Sequence, residues 1–126
     1  MKLNSFHESY EDYLKAIYKI SKAHRGGWVS NSEISRFLSV KPSSVTNMLY
    51  NLRKSELIDW KPRGSARLTS KGKEIAQHTI KNYQVLYDFF FHFLNLKNKE
   101  LVQDISCKIE HHLPEEVLVA LQDLLI

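Results

Sequence analysis

Two groups of residues in this 126-residue chain have the types and spacing to do chemistry. The first is Cys107-Lys108-Ile109-Glu110-His111-His112. On a helix, positions i, i+3 and i+4 share a face, so the Cys107 thiolate, the Glu110 carboxylate and a His111 imidazole can converge on one cation. His112 points roughly 100° away, outside that shell. Three ligands from one helix need a fourth from elsewhere, and the same residues also suit a solvated, dipole-complementing helix end. Spacing alone leaves both readings open. The second group is Ser43, Thr46, Asn47, Tyr50 and Arg53, with Lys54 nearby. These are donors and acceptors of the kind that meet base edges and phosphates, and they lie opposite an apolar stripe of Val45, Met48, Leu49 and Leu52.

The elements that must position these groups follow from periodicity. Tyr10, Tyr13, Leu14, Ile17, Tyr18 and Ile20 recur at helical spacing, which predicts a first amphipathic helix from Phe6 to about His24, ended by Gly26-Gly27. Trp28-Val29-Ser30 reads as extended. Ser30 followed by Glu33 resembles a capping box, which starts a short second helix carrying Ile34, Phe37 and Leu38. After Ser39-Val40-Lys41, Pro42 suits the first turn of a third helix, the one with the polar face. Two short helices so joined have the sequence form of a helix-turn-helix.

Leu57 to Trp60 and Ala66 to Thr69 are two brief extended segments around a Pro62/Gly64 turn, a hairpin whose Lys61, Arg63 and Arg67 make it a basic wing. Thr69 or Ser70 can cap a long helix from about Lys71 to Leu94. Asn95 to Asn98 break it, a fifth helix runs from about Lys99 to His112, and Pro114 opens a sixth. The apolar stripes of these last two helices fit a dimer surface or packing on the long helix. The fold class is mainly α: an N-terminal winged helix-turn-helix with a small β-hairpin wing over residues 1–72, then a helical metal-binding and dimerisation region over 73–126.

Composition narrows the function. Hydrophobic residues make up 43% and charged residues 25%, which are globular values, and no apolar run approaches the roughly 20 residues of a membrane span. Met1 to Glu11 carries no apolar signal core, and the single cysteine, Cys107, fits a reducing compartment, so a cytoplasmic protein is expected. The net charge of +4 is uneven: residues 1–81 hold 15 Lys+Arg against 7 Asp+Glu, and the remainder 3 against 7. A basic module joined to an acidic one suits a polyanion partner, though solubilising surface charge gives the same balance.

A helix of about 10 to 12 Å diameter fits the major groove. Ser43, Thr46 and Asn47 can then meet bases, behind Pro42, with Lys41, Tyr50, Arg53, Lys61, Arg63 and Arg67 placed for phosphates. Ser32 can add a phosphate hydrogen bond at the start of the preceding helix. A hydrolase using Glu110 as base beside His111 and Cys107 is the enzymatic rival. It lacks a second acid-base pair or nucleophile, and the chain is too small to wall off a deep pocket.

The stretch from Val40 to Met48, then Arg63-Gly64, then Leu68-Thr69-Ser70-Lys71-Gly72-Lys73, then Ile109-Glu110-His111-His112-Leu113 resembles the diphtheria toxin repressor family. The match is nearest its short manganese transport regulator branch and extends over nearly the whole chain. On that comparison the chain is expected to stop before the SH3-like domain of the longer iron-responsive members. The resemblance implies a homodimeric repressor of metal-uptake genes that binds palindromic operator DNA when a divalent metal is held. By the same resemblance Asp12, in Tyr10-Glu11-Asp12-Tyr13-Leu14, joins Cys107, Glu110 and His111 as a ligand. Two departures accompany it. Lys15 replaces a second carboxylate, whose ammonium repels a second cation, and Gln84 is matched to a histidine of the long helix, with Asp88 as an ancillary candidate. Oxygen and imidazole donors suit manganese or iron(II), and the thiolate shifts preference toward iron(II), cobalt or zinc. A winged-helix regulator without metal control is the alternative.

Overall fold

The computed structural model describes residues 5–126, with side chains from Glu8 onward. Met1 to Asn4, the start of the stretch without a signal core, lie outside the described residues. The first helix, α1, is Ser5–Ser21. It ends three residues before His24 in tight turns, the Ala23 N–H donating to the Ile20 carbonyl at 3.1 Å and the His24 N–H to that of Ser21 at 3.0 Å, and Gly26 and Gly27 follow with φ of 79° and 76°. The second helix, α2, is Asn31–Leu38. Its capping box is complete: the Ser30 hydroxyl accepts from the Glu33 N–H at 3.2 Å, and the Ser30 N–H donates to Glu33 Oε1 at 2.9 Å. Ser39 then enters the left-handed region (φ 56°) and returns its N–H to Arg36 and Ser35, closing the helix. Pro42 opens α3, Pro42–Lys54, so only three residues separate the two helices.

The hairpin is short. Strands β1 (Ile58–Trp60) and β2 (Ala66–Leu68) pair antiparallel, with Ile58 opposite Leu68 and Trp60 opposite Ala66. Both alternate buried, exposed, buried, so each sends two apolar side chains inward and one polar residue, Asp59 or Arg67, outward. Val29 adds a third short strand through an isolated bridge to Ala66, two hydrogen bonds of 2.8 Å each. At the tip the Gly64 N–H donates to the Lys61 carbonyl at 2.8 Å, with Pro62 second and Arg63 third at φ 70°. That is the form of a type II turn, and Arg63 bears a backbone strain that glycine would not.

One core unites these pieces. Tyr13, Leu14 and Ile17 of α1, Ile34 of α2, Val45, Leu49 and Leu52 of α3, and Val29, Ile58, Trp60, Ala66 and Leu68 of the sheet form a single buried cluster. The long helix α4, Ser70–Asp88, is capped by Thr69, whose hydroxyl accepts from the Gly72 N–H at 3.1 Å and donates to the Glu56 carbonyl at 2.8 Å. Its first turns carry Ile75 and Ala76 onto that cluster.

The chain divides into two compact units, the second beginning at His78. In the second, the helical pattern expected to reach Leu94 changes at Phe89–Phe93 into one π-helical turn, and Asn95 (φ 61°) ends it. Helices α5 (Lys99–Ile109) and α6 (Glu115–Leu125) both pack against that turn. The fifth helix is three residues shorter than expected, because Glu110–His112 tightens into a 3-10 turn. Val85 and Leu86 of α4, Val102 of α5 and Leu118 of α6 are the buried apolar residues of this second unit.

Gly72 is the most closely approached of the four glycines, since a Cβ there would lie 2.1 Å from the Leu57 carbonyl oxygen. Gly72→Ala is therefore expected to cost about 2 to 3 kcal/mol in a denaturant titration, the scale of overpacking against atoms that cannot yield. A change below about 0.5 kcal/mol would contradict this packing.

Candidate nucleic-acid interface and metal centre

Helix α3 shows its polar side to solvent. Lys41, Pro42, Ser43, Asn47 and Tyr50 are exposed along it, and Ser32 is exposed at the start of α2. Between α3 and the hairpin lies a cleft of about 470 Å³, whose lining includes Asn31, Ser32, Thr46, Tyr50, Pro62 and Arg63. Of the residues expected at a duplex, Ser32, Thr46, Tyr50 and Arg63 line this cleft, and Lys61 and Arg63 are exposed at the tip. Three of them have contacts the sequence did not foretell. Thr46 is half-buried, and its hydroxyl donates to the Pro42 carbonyl at 3.1 Å while accepting from Asn31 Nδ2 at 2.9 Å. Arg53 lies over Tyr50 and Trp60 and donates to the Trp60 carbonyl at 3.2 Å. Arg67 stands over the Trp28 ring, 4.4 Å from its centroid, with Asp59 3.9 Å away. Asn31 escaped the sequence reading because its partners, Thr46 and the Pro42 carbonyl, lie on the next helix.

The start of α2 has its own electrostatic anchor. The Ser30 amide, and then the His24 ring against Glu33 Oε2, hold the Glu33 carboxyl below its ordinary range despite partial desolvation. The anchor fixes the end of the helix-turn-helix from which Asn31 and Ser32 project.

In the second unit, Glu110 and His111 are both buried, and His111 Nε2 stands 3.4 Å from Glu110 Oε2. Asn82 of α4 donates to the Glu110 carbonyl at 3.2 Å, pinning the 3-10 turn that presents the pair. Cys107 is exposed, as is His112 on the other side of the turn. On α4 the residue facing this cluster is Tyr83 rather than Gln84. Burial first, and then negative charge on Cys107, Tyr87 and Glu110, push the Tyr83 phenol above its usual value. Gln84, the departure noted on the long helix, is exposed and donates its amide to Asp88 Oδ1 at 3.0 Å. Asp12 and Lys15 lie on α1.

A carboxylate and an imidazole buried side by side fit a divalent cation, which repays the desolvation that a lone buried charge cannot recover. Two buried oxygens without a hydrogen-bond partner among the described residues, Asn82 Oδ1 and Ser106 Oγ, add to the polar character of this unit.

A helix-turn-helix with a cationic wing, followed by a helical unit holding a buried Glu-His pair, defines a winged-helix regulator with a metal-binding domain. Comparison with known proteins agrees. Residues 5–66 match the N-terminal DNA-binding domain of the iron-dependent repressors, and residues 69–125 match their metal-binding and dimerisation domain. The chain belongs to this family, the diphtheria toxin repressor family of metal-dependent transcriptional regulators. It is 33% identical to a helix-turn-helix-type transcriptional regulator of Methanocaldococcus jannaschii, over 91% of this chain and 90% of that one. It is also 33% identical to the regulator MntR of Oceanobacillus iheyensis, over 83% of this chain and 69% of the relative. Its fold matches the structure of the manganese regulator SloR with a TM-score of 0.76 at 25% identity, covering 99% of this chain and 54% of that chain. The chain thus spans about half the length of that solved structure. The family consists of transcriptional regulators, so the hydrolase reading is set aside. Among the described residues no helix is long and apolar enough to cross a membrane.

Because the Glu33 carboxyl is held low, its stabilisation is complete above the unfolded value, near pH 4.3, and is lost as pH falls through the lower folded value. Glu33→Gln should flatten this acid limb and cost about 1 kcal/mol at neutral pH. Melting curves of both proteins from pH 7 to pH 3 check it, and parallel acid limbs would count against the anchor.

Proposed function

We propose that this protein is a cytoplasmic, homodimeric repressor of metal-uptake genes that binds palindromic operator DNA when a divalent metal, manganese or iron(II), is held. The observation that carries the reading is the buried Glu110-His111 pair, in the half of the chain that matches a metal-binding domain. The donor set is Glu110 and His111 with Cys107 and, from the first helix, Asp12. Bound there, the metal supplies the positive charge that lets two carboxylates, a thiolate and an imidazole share one site. Mixed oxygen and nitrogen donors favour manganese and iron(II); the Cys107 sulfur keeps zinc and cobalt within range. The names of two relatives, the manganese regulator SloR and MntR, point the same way.

On the DNA side we assign residues 1–72 to the reading domain and 73–126 to metal binding and dimerisation. Ser43 and Asn47, with Thr46 behind them, face base edges; Ser32, Lys41, Tyr50, Lys61 and Arg63 face phosphates. A dimer suits recognition helices about one DNA turn, roughly 34 Å, apart. A regulator without metal control is the second reading. Lys15, one helical turn beyond Asp12, favours it, because an ammonium opposes a nearby cation.

Glu110→Ala is expected to abolish metal-stimulated operator binding and calorimetric metal uptake while leaving the far-ultraviolet circular dichroism unchanged. Stimulation that persists in the variant removes this ligand assignment, and wild-type binding unaffected by dialysis against a chelator selects the second reading. On the DNA side, Arg63→Ala should weaken binding to all duplexes and lower the salt slope by about 1. Asn47→Ala should instead change the preferred sequence, by about 1 to 3 kcal/mol at one base pair. Uniform weakening by the Asn47 variant would take it out of base contact.

A further inference from the structure

Arg53 projects from the last turn of α3, beside the duplex face, yet its guanidinium is engaged elsewhere. It lies 5.3 Å from the centroid of the Trp60 ring and 5.4 Å from that of Tyr50, and its Nη1 donates to the Trp60 carbonyl. The Tyr50 and Trp60 rings meet edge to face, 4.8 Å between centroids. Tyr50 and Arg53 are three residues apart on one helical face, so together they grip the final residue of β1. Trp60 is the last fixed point before the tip, because Lys61 to Gly64 follow it directly and form the turn. A small rotation at Trp60 would therefore displace both tip cations.

Two clefts meet at Trp60, which lines both. One also holds Ser32, Thr46, Tyr50 and Arg63; the other holds Trp28, Arg53, Asp59 and Lys61. Arg53 thus lies on the side of Trp60 that carries Lys61, and Arg63 on the side that carries Tyr50. A guanidinium can lie within cation–π range of two rings set edge to face and still donate to a carbonyl, whereas a lysine ammonium carries the same charge without that fork of donors. A phosphate contact tolerates the exchange of Arg for Lys far better than such a combined contact does.

We propose that Arg53 is a positioning residue: it braces the wing against the recognition helix and acts on the duplex through Lys61 and Arg63, without contacting a phosphate itself. The proposal rests on the DNA-binding reading above and assigns a division of labour within it. Arg67 over Trp28 is a parallel arrangement on the outgoing strand.

The test compares Arg53→Lys in two backgrounds, wild type and a tip-neutral variant with Lys61→Ala and Arg63→Ala, using full-length metal-loaded protein and an operator duplex. All variants are first checked by circular dichroism to be fully folded at the assay temperature. Bracing predicts that Arg53→Lys weakens binding about tenfold in the wild-type background, the size of a lost cation–π and hydrogen-bonded contact, and has no further effect in the tip-neutral one. A direct phosphate contact predicts that lysine largely retains affinity, or that any loss is the same in both backgrounds; either result overturns the proposal. Amide hydrogen exchange of the β1–β2 pair, measured without DNA, is the second readout. Arg53→Lys should speed exchange at Trp60 and Ala66 severalfold, and unchanged exchange overturns the brace. Should wild type show no salt-sensitive affinity for any duplex, the DNA-binding reading fails, and the exchange measurement alone decides whether Arg53 braces the hairpin.

Discussion

The DNA-reading half of this protein depends on one non-local closure. Val29, before the helix-turn-helix, and Ala66, after it, exchange two backbone hydrogen bonds of 2.8 Å. Between them lie α2, α3, β1 and the hairpin turn, so this bridge closes a loop of more than thirty residues onto a single sheet. Neither residue exposes any surface, and both belong to the same buried cluster as Leu14, Ile34 and Leu49. The closure entropy of such a loop is offset by burial of that cluster rather than by the two hydrogen bonds, whose net value is about 1 kcal/mol each. Because backbone and core agree on one position for Ala66, the outgoing strand has no alternative register: a slip of one residue would turn Ala66 and Leu68 outward and Arg67 in.

A second constraint is where charge is allowed to be buried. The first unit leaves its cations at the surface and holds two of its arginines on tryptophan faces, where a weakly hydrated guanidinium loses little. The second unit does the opposite with one acid, while Glu100, Asp104, Glu115, Glu116 and Asp123 stay exposed. It takes Glu110 almost fully out of water, at 1% exposure, next to His111 at 6%. A carboxylate so placed is unfavourable without positive charge nearby, and a histidine that becomes a metal ligand cannot also supply that charge as a cation. The same burial that destabilises the pair by itself therefore raises its affinity for an ion.

Much of this architecture was legible in the residues. Ser30 and Glu33 announced the start of α2, Pro42 that of α3, and Pro62 with Gly64 the wing, because caps and turns are local devices whose chemistry lies within three or four residues. The α2 to wing order then followed. What escaped were features set by partners distant in sequence. The π-helical turn at Phe89–Phe93 interrupts a pattern whose apolar spacing looked continuous to Leu94. The tightened turn at Glu110 is pinned by Asn82, 28 residues earlier. Cys107 and Glu110, three residues apart, differ in burial in a way that spacing does not show: the thiol is exposed and the carboxylate buried.

The basic charge of the N-terminal part also takes on a different meaning once the side chains are placed. Fifteen Lys and Arg up to Lys81 look like a uniform polycationic surface, but their chemistry is not uniform. Lys61 and Arg63 stand exposed at a tip that a strained φ of 70° keeps prominent. Arg53 and Arg67, a few residues to either side, lie over aromatic rings and so carry their charge on rigid stems. A long flexible cation loses side-chain entropy on meeting a phosphate, whereas a braced scaffold has met that cost on folding. The hairpin thus divides its cations by position: Lys61 and Arg63 are carried at the turn, and Arg53 and Arg67 lie over aromatic rings beside it.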